Sequence, residues 1–216
     1  MSRRASNVRK IGLCYHGESG VKVSEQHSKF GITASFRSMF MALAGLWVIE
    51  LIDTFLLGSR LQRYGIHPWS LQGLWGVLTA PLLHGGWSHL IANSMPFVVL
   101  GGLVRTRGEG RFWSVSLLII LVGGAGTWLF GGTGTNHIGA SGLIFGWFGY
   151  LLLAGWYERS LSTAAISIVV GGLYGGMIWG VLPIRAGVSW QGHLFGFIGG
   201  WLAAKWSVRQ QSDDGA

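Results

Sequence analysis

Long apolar segments alternate with short polar junctions along most of this chain. After a polar stretch of residues 1–35, six segments approach the ~20 residues that a helix needs to cross a membrane. They are residues 38–57, 87–104, 112–130, 139–156, 161–182 and 190–206. The pattern predicts an all-α membrane protein with six transmembrane helices in residues 36–207, between a polar cytosolic N-terminal tail (1–35) and a polar C-terminal tail (208–216).

The distribution of basic residues predicts the orientation of these helices. If the N-terminus is cytoplasmic, 13 of the 16 lysines and arginines fall on the cytoplasmic side. Cytoplasmic loops of membrane proteins carry this excess of positive charge. We therefore expect both the N-terminus and the C-terminus to be cytoplasmic.

The connection between the first two segments, residues 58–86, is unusually long and apolar. Its apolar side chains suit a loop lying in the outer membrane interface. They include Pro68, Trp69, Leu71, Leu74, Trp75 and Leu82.

Composition supports a membrane protein and argues against nucleic-acid binding. Only 11% of the residues are charged, against about 25% in soluble domains. The net charge of +8 arises from basic residues in the tail and at helix ends, where membrane topology accounts for them. The single cysteine, Cys14, excludes an intramolecular disulfide and a cysteine metal pair. We therefore predict no metal, no cofactor and no nucleic-acid partner.

Four polar residues lie near the outer ends of three predicted helices. His89 and Asn93 are four residues apart on one face of the second helix, Ser141 begins the fourth, and His193 lies in the sixth. These helices run in the same direction, so the four side chains should occupy one layer. Taken singly, the serine could be a packing residue and the asparagine could link helices. Together they indicate a nucleophile, a base and two hydrogen-bond donors.

No carboxylate is placed to complete a triad. Glu50 and Asp53 lie on the first helix, where we expect bonds to neighbouring helices or to the long loop, and Asp213 and Asp214 lie in the C-terminal tail. A Ser141–His193 dyad is therefore the natural hypothesis. His193 must then be neutral to accept the serine proton and must be held by packing.

Glycines flank both members of this pair. Gly142 and Gly146 form a GxxxG pattern on the fourth helix, and Gly192, Gly196 and Gly200 form a double one on the sixth. Such stripes allow two helix backbones to approach closely. If the stripes face each other, the short side chains beside them can meet.

Three motifs carry a resemblance to the rhomboid intramembrane serine proteases. The run GASGLIFGWFG (139–149) resembles the family's nucleophile motif, HGGWSHLIAN (84–93) resembles its oxyanion motif, and GHLFGFIGG (192–200) resembles its catalytic-histidine motif. The resemblance covers about residues 36–207 and implies a six-helix rhomboid-like bundle.

The same resemblance implies roles for individual residues. Ser141 would be the nucleophile and His193 the general base and acid; His89, Asn93 and the backbone N–H of Ser141 would bind the oxyanion. Phe145 matches an aromatic position that packs against the catalytic histidine, and Gly139, Gly142 and Gly196 would support the site. We expect Phe145 and a contact at Gly196 to hold His193.

Three further features concern the segments that lead into the predicted helices. His84 matches a histidine with a structural role in the long loop, and His137 is interpreted as a polar loop residue near the mouth of the site. Many rhomboids carry Trp-Arg where this chain has Trp75-Gly76. That departure leaves open how the long loop is anchored.

These features predict a serine-type endopeptidase that cleaves transmembrane segments near the outer face of the membrane. Its expected partners are single-pass membrane protein substrates and the lipid bilayer, and its expected location is the bacterial inner membrane. The alternative is a non-catalytic rhomboid-like binder or chaperone of membrane proteins. A small transporter would need an inverted repeat, and none is evident.

Overall fold

A computed structural model describes residues 19–184 and 187–213, with side chains for residues 31–184 and 187–207. Within those ranges, regular structure is helical. The α-helices are α1 (Ser19–Phe55), α2 (Gly76–Thr79), α3 (Trp87–Arg105), α4 (Glu109–Phe130), α5 (Ser141–Glu158), α6 (Leu161–Tyr174) and α7 (Trp190–Asp213). Short 3₁₀ helices lie at Leu61–Tyr64, Gln72–Leu74, Ala80–Leu82 and Gly175–Val181.

Each of the six apolar segments overlaps one long helix, but α1 begins well before its segment and α6 ends at Tyr174, before the predicted end at 182. Helix α1 starts at Ser19, within the predicted polar tail; residues 1–18, Asp214 and the end of the C-terminal tail lie outside the described residues. In the described part, four helices are long and apolar enough to cross a membrane. They are Gly31–Phe55, Trp87–Arg105, Glu109–Phe130 and Leu161–Val181.

Helices α5 and α7 are rich in glycine and aromatic residues. Their position explains this composition. Helix α5 is central and contacts α3, α4, α6 and α7, so most of its side chains meet protein. Its Trp147, Phe148 and Tyr150 are among the largest fully buried side chains.

Helix α6 has the opposite character. Only Thr163 and Val170 of this helix are buried, whereas Ile168, Val169 and Leu173 are exposed. Apolar side chains in this number would be unfavourable in water, but they suit contact with lipid. The exposed face of α6 is consistent with a helix at the edge of a membrane bundle.

Helices α5 and α7 meet through their glycine stripes, as the sequence pattern suggested. A Cβ on Gly196 would overlap the carbonyl oxygen of Gly142, and one on Gly200 would overlap that of Gly146. Neither position can carry a side chain without separating the helices. This close contact is what brings the N-terminal ends of α5 and α7 together.

The long loop packs on itself through a backbone contact, and hydrogen bonds involving its backbone join it to side chains of α1 and α4. A Cβ on Gly76 would overlap the backbone of Gly65, so the loop packs directly on this glycine. The Asp53 carboxylate accepts a hydrogen bond from the Leu61 N–H at 2.8 Å, as expected for a helix-1 acid near the loop. The Trp128 indole donates to the Ser70 carbonyl at 2.9 Å. Trp69, Leu71 and Trp75 of this loop are exposed.

Candidate active site

Ser141 and His193 form a hydrogen-bonded pair at the N-terminal ends of α5 and α7. The Ser141 Oγ lies 2.9 Å from Nε2 of His193, although the residues are 52 positions apart. Ser141 is the first residue of α5, and His193 lies in the first turn of α7. The glycine contact between these helices therefore sets the distance between a hydroxyl and a base.

The His193 ring is held on two sides. Its Nδ1 lies 2.9 Å from the carbonyl oxygen of Gly180, at the end of the 3₁₀ segment after α6. The Phe145 ring stacks on it with centroids 4.0 Å apart and an interplanar angle of 5°. Phe145 is thus where the sequence led us to expect it.

The Gly180 contact fixes the tautomer of His193. A carbonyl oxygen only accepts hydrogen bonds, so Nδ1 must carry the proton in the neutral ring. Nε2 is then the acceptor and receives the O–H of Ser141. The role expected for Gly196 needs correction, because its close contact is with Gly142 and it positions the helix, while Gly180 orients the ring.

His89 and Asn93 face the segment that leads into Ser141. A Cβ on Gly139 would lie 2.7 Å from His89 Nε2 and 3.7 Å from Asn93 Nδ2. The Gly85 N–H donates to Nδ1 of His89 at 3.4 Å, which leaves the ring proton on Nε2. Asn93 Nδ2 is buried and has no partner among the described residues. Two donors therefore point toward the backbone just before Ser141.

The backbone at Ser141 offers a third donor. The first N–H groups of a helix lack acceptors within the helix, and Ser141 opens α5. Gly139 has φ +118°, a conformation that L side chains rarely adopt, and a Cβ there would also crowd His89. Gly139 thus allows the chain to pass close to His89 and present the Ser141 N–H.

His84 contacts the turn before Ser141 through a hydrogen bond. Its side chain is 1% exposed, and its Nε2 accepts a hydrogen bond from the Ala140 N–H at 3.4 Å. Burial lowers the pKa of His84 to about 4, and the nearby His89 acts in the same direction. A neutral ring is required, since Nε2 must accept. This contact agrees with the structural role expected for His84.

A small cavity of about 50 Å³ lies beside Ser141. Gly192, Thr127, His137 and Ser189 contribute to its lining. A water molecule needs roughly 10–15 Å³ of such volume and two or more polar partners. The cavity can therefore hold water next to the serine.

The described hydrogen-bond partners of the His193 ring nitrogens are Ser141 and Gly180, and neither is a carboxylate. Sequence reasoning missed Gly180 because a backbone carbonyl has no residue signature. It also undervalued His137, which bonds to Ser189, close in the chain to His193. The only signal was the position of His137 just before the GASG run.

Comparisons with known proteins identify the family of this chain. Residues 71–210 match the family model described as Rhomboid domain. An uncharacterized protein of Mycobacterium tuberculosis is 49% identical over 173 residues, covering 76% of this chain and 71% of that protein. A Mycobacterium leprae protein is 44% identical over 173 residues, covering 76% and 67%. Rhomboid protease GluP of Bacillus subtilis is 32% identical over 181 residues, covering 79% of this chain and 34% of GluP.

Proposed function

Because the chain belongs to the rhomboid family, we propose that it is an intramembrane serine endopeptidase with Ser141 as nucleophile and His193 as general base and acid. The family and the apolar helices make it a multi-pass integral membrane protein. The observation that carries the proposal is the 2.9 Å contact between Ser141 Oγ and an acceptor Nε2 of His193. A serine is a weak nucleophile until a neighbouring base removes its proton.

Acylation proceeds through two proton transfers by His193, and deacylation repeats them with water as the proton donor and Ser141 Oγ as the leaving group. Nε2 takes the proton from Ser141 as Oγ attacks the substrate carbonyl, and the imidazolium then gives that proton to the leaving amine. The Gly180 carbonyl accepts from Nδ1–H throughout, so it keeps the ring in the reactive orientation. It performs the orienting part of the role that a carboxylate has in a triad.

His89, Asn93 and the Ser141 N–H stabilise the oxyanion. The unpartnered, buried Nδ2 of Asn93 supports this role, because a buried donor without an acceptor is unfavourable unless a ligand supplies one. The N-terminus of α5 adds a favourable partial positive charge. Deacylation then consumes a water molecule, for which the cavity beside Ser141 has room.

The substrates are single-pass membrane proteins cut near the outer face of the membrane. A peptide bond inside a helix is shielded by its neighbours, so the substrate must unwind locally before Ser141 can reach it. The arrangement has six spanning helices with both termini cytoplasmic, in a bacterial inner membrane. Mycobacterial relatives support that location.

Labelling with a fluorophosphonate probe tests the nucleophile. We expect covalent labelling of the purified protein and none of Ser141→Ala. Ser114→Ala is the matched control, because Ser114 is also a helix serine but bonds only to the Gly110 carbonyl. An unlabelled wild-type protein, or an equally labelled Ser141→Ala, would support the alternative of a non-catalytic binder or chaperone.

Cleavage of a panel of single-span substrates in lipid vesicles tests the reaction class. The expected products are two fragments cut within or beside the transmembrane segment. Cuts made only in soluble domains would contradict the proposal.

A further inference from the structure

A chain of hydrogen bonds joins the segment before Ser141 to the start of the helix that carries His193. His137 Nδ1 lies 2.7 Å from Ser189 Oγ, and His137 Nε2 lies 2.8 Å from Thr135 Oγ1. The Thr135 hydroxyl also contacts the Gly132 carbonyl. The Ser189 Oγ accepts a hydrogen bond from the Gly192 N–H at 3.3 Å.

The donor and acceptor in each hydrogen bond follow from the Gly132 carbonyl at one end of the chain of bonds. Gly132 offers a carbonyl that only accepts, so Thr135 donates to it and must accept the Nε2–H of His137. Nδ1 of neutral His137 is then an acceptor, and the Ser189 O–H donates to it. The lone pairs of Ser189 remain free to accept from Gly192. Every group in the chain is satisfied with His137 neutral.

A neutral His137 agrees with its surroundings. The side chain is 9% exposed. Burial lowers its pKa, and the nearby His67 lowers it further. Its two ring nitrogens are both engaged, so the ring is fixed in one orientation.

Ser189 caps helix α7. Helix α7 begins at Trp190; the Ser189 carbonyl accepts from the His193 N–H at 3.1 Å, and the Ser189 side chain accepts from Gly192. These bonds satisfy N–H groups of the first turn, as an N-cap does. His193 is thus bonded through its own N–H to the residue that His137 holds.

The other end of the link is equally well fixed. The backbone of His137 pairs with Ile66 of the long loop through two hydrogen bonds of 2.9 and 3.0 Å. His137 precedes Ser141 by four positions in the sequence. His137 therefore connects three parts of the structure: the long loop, the segment that leads into Ser141, and Ser189, the N-cap of α7.

We propose that His137 is a positioning residue, which acts through Ser189 to hold the first turn of α7, and hence His193, at hydrogen-bonding distance from Ser141. This inference rests on the proposed function, because it concerns the same dyad. His137 itself does not bond to either member of the dyad among the described contacts. Its loss should therefore slow the chemical step while leaving substrate affinity nearly unchanged.

The chain offers a matched control for the cap. Ser160 is the N-cap of α6, and its side chain accepts from the Thr163 N–H at 3.3 Å, the same distance as in the Ser189 cap. Replacing either serine with alanine removes one helix cap, typically worth about 1 kcal/mol. Only Ser189 is bonded to His137.

The test compares fluorophosphonate labelling rates and kcat for His137→Ala, Ser189→Ala, Ser189→Thr and Ser160→Ala. A 1 Å misplacement of reacting groups lowers rates by up to about 10²-fold. We expect His137→Ala and Ser189→Ala to label ~10–100-fold more slowly, with kcat lowered in parallel and KM within about twofold. Ser189→Thr, which keeps the hydroxyl, and Ser160→Ala should retain the wild-type rate. Thermal unfolding in detergent identifies the folded fraction of each variant.

The double variant His137→Ala/Ser189→Ala distinguishes a link from two separate effects. If the two residues act as one unit, the double variant is no slower than the more affected single variant. Wild-type labelling by folded His137→Ala overturns the inference. If His137→Ala does not fold, equal effects of Ser189→Ala and Ser160→Ala overturn it instead. An unlabelled wild-type protein would count against the proposed function, so the two failures can be told apart.

Discussion

The Gly180 carbonyl orients His193, and a methyl group at position 180 should disturb that ring directly. A Cβ there would lie 2.6 Å from Cζ of Phe145 and 3.2 Å from Nδ1 of His193. Carbon atoms in contact are normally about 3.5–4.0 Å apart. In Gly180→Ala, the Phe145 ring must therefore move by about 1 Å, or the 3₁₀ segment must retreat from His193 by a similar amount.

Either movement weakens the support of the base. The first breaks the ring stack at 4.0 Å, and the second lengthens the 2.9 Å bond to Nδ1. Because misplacement of reacting groups by 1 Å lowers rates by up to about 10²-fold, we expect kcat to fall ~10–100-fold. KM should change little. Overpacking should also lower the free energy of unfolding by about 1–3 kcal/mol.

Gly176→Ala is the matched control. Gly176 lies in the same 3₁₀ segment, and a Cβ there would have nothing within 4 Å. Cleavage of a single-span substrate and the fluorophosphonate labelling rate should be measured for both variants, with thermal unfolding to correct for folded fraction. If Gly180→Ala is folded and both rates stay within about twofold of Gly176→Ala, the carbonyl does not orient the base.

Four further changes probe other parts of the site. Asn93→Ala should lower kcat by about 10²–10³ with little loss of thermal stability, because its buried Nδ2 has no described partner to lose; a lower unfolding temperature with normal kcat would contradict this. Gly196→Ala should lower the unfolding temperature, since its Cβ would overlap the Gly142 carbonyl; an unchanged temperature would mean that the helices separate easily. Folded Asp53→Asn should cleave substrate at a rate within about tenfold of wild type, a smaller change than the loss of one oxyanion donor causes; complete loss of cleavage would indicate a triad that includes Asp53. Burial holds the pKa of His84 at about 4 in the folded protein, below the ordinary value of about 6.5. The buried neutral ring therefore stabilises the fold fully above about pH 6.5, and this stabilisation is lost as the pH falls toward 4 because the unfolded chain binds the proton first. His84→Gln should make the unfolding temperature less sensitive to pH over that range. An unchanged dependence of the unfolding temperature on pH would contradict the lowered pKa of His84.

Local patterns in the sequence were sufficient for the helices and the principal candidate residues. Hydropathy depends on which residues are neighbours in the sequence, so the apolar segments located each of the helices α1 and α3 to α7, although not the start of α1 or the end of α6. The glycine stripes predicted the α5–α7 contact for a similar reason, since a missing side chain at regular spacing leaves a groove. The position of Ser141 and His193 beside those stripes was enough to predict that they meet. Six spanning helices and cytoplasmic termini remain predictions.

Only the tertiary structure revealed what holds Ser141 and His193 at hydrogen-bonding distance. The Gly180 acceptor is a backbone carbonyl, and every residue has one, so no sequence pattern could identify it. Trp75-Gly76 read as a missing anchor, whereas folding places Gly76 against the loop backbone, where a side chain would not fit. His137 looked like a loop residue because its partner, Ser189, lies 52 positions away. Sequence periodicity indicates which face of a helix is buried. Hydrogen bonds between loops depend instead on where helix packing places those loops in space.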